Sequence, residues 1–132
     1  MKDILRDTLE LWTSQKPFSG YKSQTILWRL LPAIDNNQIR VYYRGNLCVG
    51  FVTWAWFLEE EFDTMEFNGA EVFARNDGDM IYIMDAIIPY GSADVRHVVR
   101  DTRRYLSRLY PDNPAAFAYR NKRKSRWSRS KL

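Results

Sequence analysis

The stretch Met80-Ile81-Tyr82-Ile83-Met84-Asp85-Ala86-Ile87-Ile88-Pro89, which runs into Tyr90-Gly91-Ser92, decides the fold. Asn76-Asp77-Gly78-Asp79 forms a turn signal before it, and Pro89 and Gly91 close it. An apolar run this short, rich in β-branched and aromatic residues and bounded by turn residues, reads as a buried strand. One charge breaks the run. A carboxylate inside an apolar strand is costly unless it is paired or used, which makes Asp85 a candidate site residue.

Working outward, Ser92 fits a helix N-cap, and Val95, Val98, Val99, Thr102, Leu106 and Leu109 follow at helical spacing with arginines between them. Pro111 stops that helix, and the strand-like AAFAY (115–119) closes the sheet. On the other side, IRVYY (39–43) and LCVGFVTWAWF (47–57) flank the turn signal Arg44-Gly45-Asn46 and read as an antiparallel hairpin with a buried second strand. Residues 3–14 and 21–32 have helical periodicity, the second segment ending at Pro32 and the Asp35-Asn36-Asn37 that follows. The acid-rich segment 58–74 is ambiguous and reads as partly helical. This order predicts an α/β (α+β) single domain with a mostly antiparallel sheet flanked by helices, a pattern compatible with N-acetyltransferase-like folds.

Length and composition narrow the class. The 132 residues suffice for one core without staples. No apolar run is long enough to span a bilayer, and the charged N-terminal segment reads as neither leader nor anchor. Cys48, the single cysteine, closes no intramolecular disulfide and reads as a small buried hydrophobe in a reducing compartment. One cysteine and one histidine give no basis for a structural zinc site, so no metal is expected. The net charge of +4 is uneven: residues 120–132 carry seven Lys or Arg and no acid, leaving 13 basic against 16 acidic residues in the rest. The chain therefore divides into a body (1–119) and a basic tail (120–132). In the tail, Arg120, Lys122, Arg123, Lys124, Arg126, Arg129 and Lys131 flank Trp127, a composition that suits nucleic acid, an acidic protein surface or a solvated end. Glu59-Glu60-Glu61 and Asp63 read as a solvated acidic face.

Four stretches in register carry a family resemblance: Leu11-Trp12-Thr13-Ser14, Leu30-Leu31-Pro32-Ala33-Ile34, the Trp-bearing Val52-Thr53-Trp54-Ala55-Trp56, and Met84 to Gly91. Over residues 1–110 the chain resembles the RTX toxin-activating lysine acyltransferases, the hemolysin C-like proteins. That resemblance implies an N-acetyltransferase-like fold and transfer of a fatty acyl group from acyl carrier protein to lysines of a toxin. It also implies a catalytic histidine and aspartate. The aspartate carries over to Asp85. The histidine does not: an ungapped alignment from Trp12 to Ile34 puts Phe18 at its position, and Tyr90 stands where the family has phenylalanine.

Acyl transfer to lysine needs a proton acceptor, and a transfer through an acyl-enzyme also needs a nucleophile. Phe18 is neither, and His97, within the last helix, reads as a surface or half-buried residue. The reading that follows is a degenerate family member, without the catalytic histidine, serving as a binding or structural protein, as a small phage virion or host-interaction component would. An active acyltransferase, with Asp85 acting alongside water, Tyr21 or Tyr90, and a nucleic-acid-binding accessory protein acting through the tail are the alternatives. Asp85 itself has two readings, a reactive carboxylate or one held by backbone amides or an arginine. Tyr90, Gly91 and Ser92 offer helix-terminal amides to an anion such as a phosphopantetheine phosphate. No cofactor is expected beyond a carrier-borne acyl group, and the expected setting is bacterial cytoplasm or a virion, with a protein partner or assembly.

Overall fold

The computed structural model describes residues 3–15, 23–58, 78, 80–109, 116–121 and 126–131. The architecture is α+β. In chain order the elements are α1 (Ile4–Thr13), α2 (Ser23–Asp35), β1 (Ile39–Arg44), β2 (Leu47–Phe57), β3 (Met80–Ile87), α3 (Ser92–Leu109), β4 (Ala116–Asn121) and β5 (Arg126–Lys131). The sheet has the order β1-β2-β3-β4-β5, and every pairing is antiparallel except β3 with β4. The edge strand β5 lies inside the segment that the charge pattern set apart as a tail, and it pairs along the length of β4 from Ala116–Lys131 to Asn121–Arg126.

Local chemistry explains the helix ends. The Asp3 side chain accepts the Arg6 N–H at 3.0 Å and caps α1. Pro32 does not stop α2, contrary to the sequence expectation; the helix continues to Asp35. The extra turn buries Ala33 beside the fully buried Leu30, and the Pro32 carbonyl still accepts the Asn36 N–H at 3.0 Å. That burial offsets the bond which the proline nitrogen cannot donate. The helix then ends in a Schellman arrangement. Asn37 takes φ 55°, its N–H reaches the Ile34 carbonyl, and the Gln38 N–H reaches the Ala33 carbonyl at 2.7 Å. Ser92 is the first residue of α3 and not its cap; the Gly91 carbonyl accepts the Val95 N–H at 3.2 Å, which puts Gly91 at the capping position with φ 121°.

Strand β2 is the spine. All its residues after Leu47 are buried, because helices cover both faces of the sheet there. Phe51 lies under Leu11 and Trp12 of α1 and Ile26 and Leu30 of α2. Val52, one residue on and facing the opposite way, packs with Val98 of α3 and Tyr42 of β1. Trp54, Trp56, Phe57 and Ile81 form the central cluster with Ala33 and Leu106. Two ladder irregularities interrupt the pairing: Val49 is the extra residue opposite Tyr42–Tyr43, and Met84 the extra residue opposite Thr53–Trp54.

Helix α3 departs from its expected face. Val98, Thr102 and Leu106 are buried, but Val95, Val99 and Leu109 lie exposed. The helix meets the sheet along a narrow stripe, so its helical periodicity counted more inward positions than the packing uses. A polar network fixes that stripe to β1. Asp101 accepts from Arg40 Nε at 2.7 Å and from the Tyr42 hydroxyl at 2.8 Å, and the Tyr42 hydroxyl also meets Thr102 Oγ1 at 2.8 Å. The Arg40 guanidinium lies 4.2 Å from the Tyr105 ring centre.

Burial pushes the Asp101 carboxyl up, but the hydrogen bonds from Arg40 and Tyr42 and the Arg40 charge pull it down further, to a net value below the usual range. A depressed folded value contributes stability that is present above the unfolded value and is lost as pH falls through the folded one. Asp101→Asn should therefore lower stability at pH 7 by about 1–3 kcal/mol, with the deficit shrinking below pH 4 in urea titrations.

Candidate functional site

Asp85 sits directly opposite Thr53 in the β2–β3 ladder, next to the extra residue Met84. A bulge re-aims the side chains beside it. Here the carboxylate turns towards α2, where Arg29 Nη2 meets Asp85 Oδ1 at 3.0 Å. Thr53 Oγ1 donates to Asp85 Oδ2 at 3.1 Å. The Arg29 guanidinium carbon lies 5.9 Å from the Trp12 ring centre, within the range of a cation–π contact. The four sequence stretches thus converge on one point: Trp12 from the first, the α2 turn just before the second, Thr53 from the third and Asp85 from the fourth.

The pair is unequal in exposure. The Asp85 side chain is 8% exposed, while that of Arg29 is 43% exposed. Burial raises the Asp85 pKa above its ordinary value, and the Arg29 charge and the Thr53 hydrogen bond only partly offset that. The carboxylate is therefore bound at both oxygens, yet held in a setting that favours taking up a proton.

The other candidate residues lie elsewhere or outside the description. Tyr90 is exposed in the turn after β3, and Gly91 and Ser92 are exposed at the start of α3. A side chain added at Gly91 would meet nothing within 4 Å, so its glycine answers to backbone conformation and not to close packing. Tyr90 borders a small cleft of about 230 Å³ with Asp7, Glu10, Ser14, Asn46 and Cys48. His97 is exposed on α3, edge-on to Tyr42 with ring centres 6.0 Å apart, on the face of the sheet opposite α2. Phe18, Tyr21 and the acidic run Glu59–Asp63 lie outside the described residues, as do the side chains of the tail residues Arg120, Arg126, Trp127, Arg129 and Lys131 and the whole of Lys122, Arg123 and Lys124. Among the described residues no group of three or more His, Cys, Asp or Glu side chains is placed to hold a metal. No helix among them is long and apolar enough to cross a membrane.

Sequence reasoning singled out Asp85 but missed Arg29. Its one available signal was position: Arg29 is the sole cation between Ile26 and Ile34 of α2, on a turn whose other face is buried.

The ladder adds a second feature. Pairing between β3 and β4 registers Ile81 with Phe117 and Tyr82 with Ala118, while β3 continues to Ile87. Asp85 lies in the part of β3 beyond that register. The domain is an α+β fold with a mixed sheet, helices on both faces and a buried carboxylate beyond the point where the parallel pair stops. The chain belongs to the RTX toxin acyltransferase family, whose model matches residues 1–130. That match takes in most of the segment set apart as a tail, so β5 falls within the family's extent. The uncharacterized protein sll0720 of Synechocystis sp. is 32% identical over 105 residues, which cover 76% of this chain and 69% of that protein.

The inequality of the pair has a testable consequence. Because its folded pKa is raised, Asp85 supports the fold fully only below its unfolded value, and that support is lost as pH rises through the folded value. Arg29 matters once Asp85 is ionised. Arg29→Ala should cost about 1–2 kcal/mol at pH 7, less than a fully buried pair would, because the Arg29 side chain is 43% exposed. The cost should shrink as pH falls through the folded Asp85 pKa and should be smaller in an Asp85→Asn background, as a double-mutant cycle followed by urea denaturation would read.

Proposed function

We propose that this chain is a member of the toxin acyltransferase family in which the aspartate serves the fold and not the reaction, leaving a binding or structural module on an N-acetyltransferase-like framework. The observation that carries this reading is the occupancy of Asp85. Both carboxylate oxygens are engaged, one by Arg29 and one by Thr53. A carboxylate that orients a catalytic imidazole directs a lone pair to the imidazole N–H, and the lone pair that Asp85 directs towards α2 meets a guanidinium instead. Here a guanidinium from α2 takes one oxygen, and the residue aligned with the family histidine is Phe18. An arginine remains charged at any physiological pH and cannot shuttle the proton that an imidazole would.

A second reading is favoured by one observation. Burial raises the Asp85 pKa, which moves the carboxyl towards the range of a general base. In an active enzyme Asp85 would take the proton from the attacking lysine amine, directly or through water. The amine would add to the acyl carbonyl, and the C–S bond would break with the carrier sulfur leaving as thiolate and taking up the proton that Asp85 had accepted. The β4-facing side of β3 beyond Tyr82, where β3 keeps its pairing with β2 but the register with β4 has ended, and the amides at the start of α3 would then receive the carrier's pantetheine arm. A virion or host-interaction role and nucleic-acid binding by the tail have no observation of this kind behind them.

Intact-mass spectrometry separates the two readings. Purified protein mixed with fatty-acyl-loaded acyl carrier protein and a lysine-bearing acceptor peptide should consume no more donor than the Asp85→Asn variant does. Turnover in the wild type at least tenfold above that of Asp85→Asn, with the acyl mass appearing on the peptide, would contradict the proposal and establish the enzyme.

A further inference from the structure

The outer face of α3 has no role in the site around Asp85. Two neighbouring rows run along it at intervals of four residues: Val95, Val99, Arg103 and Ser107 in one, and Arg96, Arg100, Arg104 and Arg108 in the other. At 1.5 Å per residue the arginine row is about 18 Å long. The two rows form one open, shallow surface along this helix. Val95 and Val99 are 39% and 48% exposed on it. The helix's two carboxylates do not neutralise the row, since Asp94 is paired with Arg44 and Asp101 with Arg40, both from β1. Among the described residues no ion pair reaches Arg96, Arg100, Arg104 or Arg108. Like charges four residues apart destabilise a helix, so the row opposes the stability of the element that bears it.

We propose that this face docks an acidic amphipathic helix of a partner protein. The valines would bury against the partner's apolar stripe, and the arginine row would pair with a row of carboxylates at the same spacing. A protein helix fits better than a nucleic acid for two reasons. The face has an apolar strip bordered by charge, the layout of a protein interface with an apolar centre and a polar rim. Its described lining holds no aromatic side chain on which a base would stack. Arginine in place of lysine suits planar, two-pronged pairing with carboxylates. The inference is independent of whether Asp85 is catalytic.

The test uses the full chain and a fluorescein-labelled 18-residue helical peptide with Leu at every fourth position and Glu at the adjoining ones. A 20-nucleotide single-stranded DNA serves as comparator. Fluorescence anisotropy should show saturable peptide binding that weakens at least tenfold between 50 and 300 mM NaCl. Arg100→Gln/Arg104→Gln should weaken it at least tenfold, and Val99→Ser at least threefold, with DNA affinity changed less than twofold by Val99→Ser. Absence of peptide binding, or binding indifferent to both variants, would overturn the proposal. So would DNA binding tighter than peptide binding and lost in the double-arginine variant, which would assign the face to phosphates.

Discussion

The buried carboxylate of Asp85 imposes the constraint around which the rest of this structure is arranged. A charge placed in the central strands must be met by partners, because desolvation in an apolar interior outweighs any gain from packing alone. Thr53 meets it across the ladder and Arg29 meets it from α2. For Arg29 to reach that far, α2 must lie against β2, and the buried Ile26, Leu30 and Ala33 hold it there. For the carboxylate to face α2, the ladder must slip by one residue at Met84. Trp12 then bounds the guanidinium from α1. Helix packing, strand register and site are therefore consequences of one another.

A second polar network works with the opposite electrostatic balance. Around Asp101, hydrogen bonds outweigh burial and the carboxylate is stabilised; around Asp85, burial outweighs the partners. The first arrangement is a fastening between α3 and β1. In the second, burial holds the Asp85 carboxyl above its ordinary pKa despite Arg29 and Thr53. A guanidinium beside Asp85 balances its charge but, unlike an imidazole, cannot relay a proton at physiological pH.

Much of this was legible before any coordinates. The strand 80–87, the hairpin turn at Gly45, the α3 helix and the importance of Asp85 follow from local pattern, because each is written in consecutive residues. What escaped the sequence depends on tertiary choice. Pro32 reads as a stop, yet α2 runs past it because burying Ala33 outweighs one absent hydrogen bond. Val95 and Val99 read as core, yet α3 touches the sheet along a stripe too narrow to cover them. Residues 120–132 read as a basic tail suited to nucleic acid, an acidic protein surface or solvent, and charge pattern alone did not reveal that Arg126–Lys131 pairs with β4 as β5. Arg29 escaped because no pattern within α2 reveals which residue of a distant strand an arginine will meet.

The account turns on the protonation of one group held by two partners, of which one, Arg29, is charged. Carbon-13 NMR of the Asp85 carboxyl, titrated in the wild type and in Arg29→Ala, measures that directly. The account predicts a midpoint above the ordinary aspartate value near 3.8 in the wild type, and a further upward movement in the variant. A wild-type midpoint at or below 3.8, or one unmoved by removing Arg29, would contradict it.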